Sequence, residues 1–306
     1  MPRHGYCCIN ITLGENTKPR VTTNRGMTKK TFSERGIKYA SELSLQNVKD
    51  LYTIIEWNNK NGIDMYRMSS DIFPWCSEYE ISDLPDFNEI KSKLKECGDL
   101  AKSANQRLTF HPSPYSVIAS VNPSVVEKAI KELSQHAEIM DLMELDRSFF
   151  YPINVHVNTS KPDLESAAKR FCDSWRMLPE SVKSRLVLEN DDKKSQFTSV
   201  DLYNLVHKEI GIPLTFDYLH NYCHEPEEWN EVDVLKLCYS TWPEGIVPIV
   251  HYSDSRKLFE DSDSKILAHT DWIWKPKVET YGLEIDIEFE VKMKELALIK
   301  YLNPIL

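Results

Sequence analysis

Residues 185–192 read RLVLENDD: a short apolar run followed at once by acid and amide side chains. An apolar run of this length suits a strand covered on both faces, as in a parallel sheet. The polar cluster begins where such a strand ends, and in α/β folds ligands bind at the carboxyl ends of the strands. Glu189 is therefore the first residue to place in a site. Taken alone it reads more readily as a surface acid opening a loop. Its weight comes from the recurrence of the same pattern along the chain.

Working outward, strand-like runs fall at 5–11 (GYCCINI), 64–70, 107–111, 153–158, 185–190, 213–220, 246–252 and within 281–289, the last ending at Glu288 or Glu290. Helical periodicity fills the intervals at 45–59, 86–103, 123–145, 163–178, 199–210, 227–239 and 292–301, with Pro123 in a first turn and Ser199 as a cap. Residues 253–274 read as a long loop. Eight strands alternating with helices, with no linker between them, predict an α/β fold: one (β/α)8 TIM barrel forming a single domain. A doubly wound open sheet is the competing architecture, and it lacks the G-x-G-x-x-G turn after the first strand. With period two, Tyr6, Cys8 and Asn10 share a face of the first strand.

The 306 residues, 41% hydrophobic, are enough for one large core. No apolar run approaches the ~18 residues of a membrane span, and MPRHGYCC lacks the apolar stretch of a signal peptide. The seven cysteines are odd in number and never spaced C-x-x-C. They read as reduced thiols of an intracellular protein, cytoplasmic or nuclear. A net charge of −10 argues against indiscriminate nucleic-acid binding. One stretch opposes it: Lys18, Arg20, Arg25, Lys29, Lys30, Arg35 and Lys38 face a single acid, Glu34. Residues 18–42 read as a basic loop insertion, either a solvated loop or one that tracks phosphates.

The strand exits carry His111, His156, Glu189, Asp217, His220, His251 and Glu290, and the long loop adds His269 and Asp271. A single histidine in such a place is more often a satisfied polar residue than a ligand. In a barrel, however, all of these converge on one face. Imidazole with carboxylate suits Zn, Mn, Fe or Ni, and this number of ligands exceeds one tetrahedral site and fits two or three ions. Clustered ions, a basic stretch and loop aromatics at Tyr6 and Tyr115 point to phosphodiester hydrolysis on nucleic acid, with the rings stacking on or wedging between bases.

The segments GYCCIN, YRMSSDIFPW, LTFHPSPY, INVH, LVLEND, FDYLH, VPIVHYSD, AHTDW and IEFEVKMKE resemble, in order and over nearly the whole chain, the UV damage endonucleases. The resemblance implies a single barrel of the endonuclease IV and xylose isomerase type. It also implies up to three divalent metals, commonly manganese with zinc or magnesium as alternatives, and nicking of damaged double-stranded DNA by a monomer immediately 5′ of a UV photoproduct or other distorting lesion. The products would carry a 3′-hydroxyl and a 5′-phosphate. Carried over by motif position, the ligands are His111, His156, Glu189, Asp217, His220, His251, His269 and Glu290, with Glu189 bridging two ions. Asp217, His251 and Glu290 would hold one ion, His220 and His269 another, and His111 and His156 with Glu78 the third. Tyr6 and Asn10 match residues lining the scissile region, and Tyr115 matches one of two probing residues. Arg20, Arg25, Lys29 and Lys30 would contact phosphates. Three positions depart from the pattern: Glu78 replaces a histidine, Pro114 replaces the second probing residue, a glutamine, and Ile249 replaces a lysine that can become a carbamate ligand.

Two rival readings use the same residues. A metal-dependent sugar isomerase or epimerase shares the set Glu189, Asp217, His251 and Glu290, but needs neither the additional histidines nor a basic stretch. A non-catalytic damaged-DNA binder would bind without nicking.

Overall fold

The parallel strands expected from the sequence form and close on one another. In the computed structural model, which describes residues 2–304, eight strands pair in sequence order and β8 returns to β1. They are β1 His4–Cys7, β2 Met65–Met68, β3 Arg107–Phe110, β4 Ile153–Val155, β5 Leu186–Glu189, β6 Leu214–Asp217, β7 Ile249–Tyr252 and β8 Asp286–Phe289. Every pairing is parallel. Parallel neighbours need crossover connections, and helices supply them on the outside. The result is a single-domain (β/α)8 TIM barrel. No helix among the described residues is long and apolar enough to cross a membrane.

Alternate strand residues face the helices and the barrel axis. Tyr66, Phe110, Phe216 and Phe289 lie in the main apolar core. The axial set is identified by contacts across the barrel. At the amino-terminal end of the strands, Arg107 of β3 meets Asp286 of β8 at 2.8 Å. Beside this pair, Met65, Val187, Ile249 and Trp242 form a small separate apolar cluster. Gly5 permits the approach of β1 to β2, because a Cβ there would stand 2.7 Å from the Met65 carbonyl oxygen. One layer higher, toward the carboxyl ends, the axial residues are almost entirely polar, and that layer is the floor of the site.

Several boundaries differ from the sequence expectation. The 5–11 run is not one strand: Cys8 adopts a left-handed backbone (φ 66°), β1 stops at Cys7, and Asn10 caps the helix Ile11–Asn16 by accepting from Leu13 N. The 18–42 stretch is a loop only in its first half. A helix Lys29–Lys60 begins at the Thr28 cap, interrupted at Gly36 (φ 62°). The helix expected to be capped by Ser199 is capped by Thr198, whose hydroxyl accepts from Asp201 N while the Asp201 side chain reaches back. The sixth strand is shorter than 213–220, since the chain turns helical at Tyr218 with Asp217 as cap. The long loop after β7 contains one helical turn, Arg256–Phe259.

Candidate metal centre

Glu189 ends β5 fully buried on the axis, and the imidazoles gather around its carboxylate. His251 Nδ1 lies 3.0 Å from Oε2, His111 Nε2 3.2 Å and His156 Nε2 3.7 Å, while His220 Nδ1 is 3.2 Å from Oε1. Glu290, just beyond β8, stands 3.4 Å from His251 Nδ1. His269 is at the margin, 3.9 Å from Glu290. Three overlapping groups could each hold an ion: His111 with His156 and Glu189; Glu189 with Asp217 and His220; and Asp217 with His251 and Glu290. In each, the ligand atoms lie within 4.8 Å of one another. Ligands at about 2.0–2.2 Å from a common ion stand roughly 3–4 Å apart, so modest closure suffices.

Local structure explains the convergence. Apart from His269, on the loop after β7, each ligand lies at or just beyond the carboxyl end of a strand, and the parallel register brings those ends to one rim. Asp217 is both axial and a cap: its Oδ1 accepts from His220 N at 2.7 Å, which fixes the turn that presents His220. Asn190 brackets the same turn, accepting from Asp217 N at 2.9 Å and donating to Asp217 O at 3.2 Å. His220 Nδ1 lies 3.0 Å from the Asn190 carbonyl oxygen as well as 3.2 Å from Glu189 Oε1, so the ring is held between the two.

The electrostatics fit a cation cluster. Four buried or nearly buried carboxylates, Glu189, Asp217, Glu288 and Glu290, face one guanidinium, that of Arg67. Burial opposes ionisation of Glu189, but the imidazoles of His251, His156, His111 and His220 around it hold it well below the usual carboxylate range. Burial would neutralise His251, yet Glu189 beside it lifts it to about 9. His156, dominated by burial, falls to about 4 and stands neutral as a ligand must. Among the described residues, Glu189 Oε1, Asp217 Oδ2, His156 Nδ1 and His269 Nδ1 are buried without a hydrogen-bond partner. Orphaned ligand atoms of this kind, in a mixed imidazole–carboxylate set, fit divalent ions.

Other sequence-selected residues are not brought to this centre. Tyr6 lies away from it: its ring is fully buried against the outer helix layer, its hydroxyl donating to Asn58 Oδ1 at 2.8 Å and accepting from Asn10 at 2.9 Å. Asn10 is equally buried, as a cap. Within β1 it is Cys7 that faces the axis, beside Glu288, so Tyr6 points outward, and Asn10 lies beyond the strand's end as a cap. Glu78 ends an exposed 3-10 turn and belongs to none of the ligand groups. Asp271 is held by Arg256 at 2.7 Å. Arg25 is tied to Asp50 at 2.7 Å, so it stabilises its own loop. Arg20, Lys29, Lys30 and Pro114 are exposed, as is Tyr115, at 84%. Ile249 sits in the apolar cluster below the site; one layer above it, opposite His251, is Glu288.

Some functional candidates went unnoticed in the sequence. Asn154 donates to Glu189 Oε2, and Thr109 donates to Glu288 at 2.7 Å. Arg67 pairs with Glu288 and Glu290. Asp191 stands 3.7 Å from His156 Nδ1, pushed up to about 7 by burial. Period-two alternation back from Glu189, His111 and His251 would have found the axial neighbours Thr109 and Ile249, but not which strands face each other across the barrel.

With this geometry in hand, comparison with known proteins is direct. Residues 2–305 match the model of the UV-endonuclease UvdE family. The chain is 34% identical over 306 residues to the UV-damage endonuclease of Schizosaccharomyces pombe, covering 97% of this chain and 50% of that protein, so it spans half the length of that relative. It is 33% identical to the UV DNA damage endonuclease of Clostridium perfringens, covering 98% of this chain and 69% of the relative. Among solved structures, SacUVDE superposes with a TM-score of 0.84 at 29% identity, covering 99% of this chain and 98% of that one. The full-length match, carried on this barrel, establishes that the chain belongs to the UV-endonuclease UvdE family.

Proposed function

We propose that the chain cuts double-stranded DNA immediately 5′ of UV photoproducts and other distorting lesions, leaving a 3′-hydroxyl and a 5′-phosphate, and that it does so with a cluster of divalent ions, manganese foremost. The observation that carries this reading is the convergence of His111, His156, His220, His251, Asp217 and Glu290 around the buried Glu189 carboxylate. Divalent ions bound there would supply Lewis acidity to the phosphodiester and bring the pKa of a water molecule toward neutrality. The protein's part is to hold the ligands in place. Glu189 joins two ligand groups, Asp217 and Asn190 fix the His220 turn, and the Asn190 carbonyl lies against the His220 ring. Exposed Arg20, Lys29 and Lys30 offer charge to the phosphates.

The direct test is a duplex oligonucleotide carrying one pyrimidine dimer or (6-4) photoproduct, incubated with the purified chain and manganese. A single cut at the 5′ side of the lesion is expected, abolished by chelator and absent from the undamaged duplex. Cutting that persists in chelator, or that ignores the lesion, would overturn the reading.

Tyr115 reports on damage recognition. Stacking on a base is worth about 1–3 kcal/mol, so Tyr115→Ala is expected to weaken binding to damaged duplex roughly 5- to 150-fold. With its ring 84% exposed, the unfolding temperature should not move. Equal affinities of the two proteins for damaged duplex would remove Tyr115 from the interface.

A further inference from the structure

His269 differs from the other candidate ligands in standing well beyond a strand end, on the long loop that joins β7 to β8. Fixing a loop segment costs conformational entropy, so a ligand placed there needs an anchor. Backbone bonds supply part of it. His269 bridges to Ser255 in antiparallel fashion. Arg256 N donates to the Ala268 carbonyl oxygen at 2.6 Å, and Thr270 N to that of Asp254 at 3.1 Å. From the other side, Lys292 N and Met293 N, just past β8, donate to the carbonyl oxygens of Thr270 and Asp271 at 3.0 and 2.9 Å.

The rest comes from one carboxylate. Glu260 follows the single helical turn Arg256–Phe259, and three N–H groups from the stretch just after His269 converge on it. Asp271 N lies 2.9 and 2.8 Å from its two oxygens, Trp272 N 3.1 Å from Oε1, and the Trp274 indole Nε1 2.8 Å from Oε1. Arg256 adds a tie of its own, 2.7 Å from Asp271 Oδ1. Bonds to an ionised acceptor are about twice as strong as neutral ones. Burial opposes ionisation of Glu260, but the Asp271, Trp274 and Trp272 donors hold it below the usual carboxylate range. Glu260 belongs to none of the ligand groups. What it fastens is the stretch that begins two residues after His269, whose Nδ1 is buried without a hydrogen-bond partner, 3.9 Å from Glu290 Oε2.

We infer that Glu260 is a positioning residue of the metal centre: by gathering the Asp271, Trp272 and Trp274 donors, it holds the segment that presents His269 to the centre. This rests on the metal reading above. Glu260 touches neither the ions nor the DNA. It acts through His269, by the route through which outer partners usually tune a metal site.

The first measurement needs neither metal nor substitution. In the metal-free full chain, hydrogen exchange at the Asp271 and Trp272 amides is expected to be slowed about 10-fold or more relative to an unstructured peptide, and to speed up in Glu260→Ala. The second is manganese binding, followed by electron paramagnetic resonance titration without DNA. Glu260→Ala is expected to weaken one class of bound ion about 10- to 100-fold, the usual cost of losing an outer partner of a ligand, with the other class unchanged. Glu260→Gln has nearly the same shape and keeps an oxygen for the Trp272 and Trp274 donors, so it should recover part of the loss. Each substitution is repeated in a His269→Ala background, where it should change manganese affinity no further, because losses that act through one residue do not add. Circular dichroism like the wild type is expected throughout, since Glu260 stands on a surface loop. Additive losses, a folded Glu260→Ala with wild-type affinity, or unprotected Asp271 and Trp272 amides in the wild type overturn the positioning role. All three leave manganese binding by the wild type intact. Its absence would instead overturn the metal reading, and the inference with it, which separates the two failures.

Discussion

Glu189→Gln is expected to lower the nicking rate by about three orders of magnitude or more while leaving the fold intact. The carboxylate is shared by two of the ligand groups, so its loss touches more than one ion. The electrostatic stabilisation such ions give a phosphoryl transition state is worth several kcal/mol, and about 1.4 kcal/mol corresponds to tenfold in rate. The amide has nearly the same shape, and Asn154 can still pair with its oxygen. The core around β5 (Leu186, Leu188, Phe197) is apolar and untouched. Two measurements decide it: the initial rate on a lesion-bearing duplex with saturating manganese, and thermal unfolding without metal. A Gln variant that nicks at the wild-type rate would remove Glu189 from the centre of the chemistry. Loss of rate accompanied by a collapsed unfolding transition would show the residue to be structural.

How far the sequence carried this reading depends on the kind of signal. Buried parallel strands are continuous apolar runs, so β5, β6 and β7 stand out, and the acids and histidines at their exits are legible because a barrel sends every strand end to one rim. Helix starts are legible where a cap is explicit, but Thr198 and Ser199 are adjacent and both competent, and only the reach of Asp201 back to Thr198 decides between them. Tyr6 shows the limit. The alternation of GYCCINI assigns Tyr6 and Asn10 to a common face, and they do touch, at 2.9 Å. Yet that contact arises because the strand breaks at Cys8 and Asn10 becomes a helix cap, and the shared direction is toward the outer helix. Within the strand it is Cys7, beside Glu288, that faces the axis, so alternation sends Tyr6 to the opposite side, and the run itself does not say which face is which. Cross-barrel pairs are illegible for a different reason. Arg67 and Glu288 are separated by 221 positions, and nothing local in YRMSS or IEFE announces that each is the other's counterion.

The same illegibility hides the residue whose loss should cost most in stability. Asp286 is expected to lower the free energy of unfolding by about 3–5 kcal/mol when replaced by alanine, because it is the counterion of a guanidinium that cannot reach water. Arg107 is completely buried at the amino-terminal end of the barrel axis and meets Asp286 Oδ2 at 2.8 Å. Its other donors go to the Phe150, Val247 and Phe149 carbonyl oxygens, at 2.7, 2.7 and 2.9 Å. Asp286 in turn accepts from Arg3 N at 2.8 Å, which fastens the start of β1 to β8. Removing both charges together, as Arg107→Met/Asp286→Leu, is expected to recover part of the loss. Recovery stays incomplete, because the three carbonyls then lose their donor and a buried unpaired polar group itself costs about 1–3 kcal/mol. Denaturant midpoints of the wild type, Asp286→Ala and the double variant would measure this order of stabilities; a single variant within about 1 kcal/mol of the wild type would show the pair to be dispensable. The pair lies a layer below the ligand rim, so the folded fraction of Asp286→Ala should still bind manganese and nick at the wild-type rate per folded molecule. The barrel thus separates its two buried charge systems by height along one axis: the lower closes the fold, and the upper gathers the side chains proposed to hold ions.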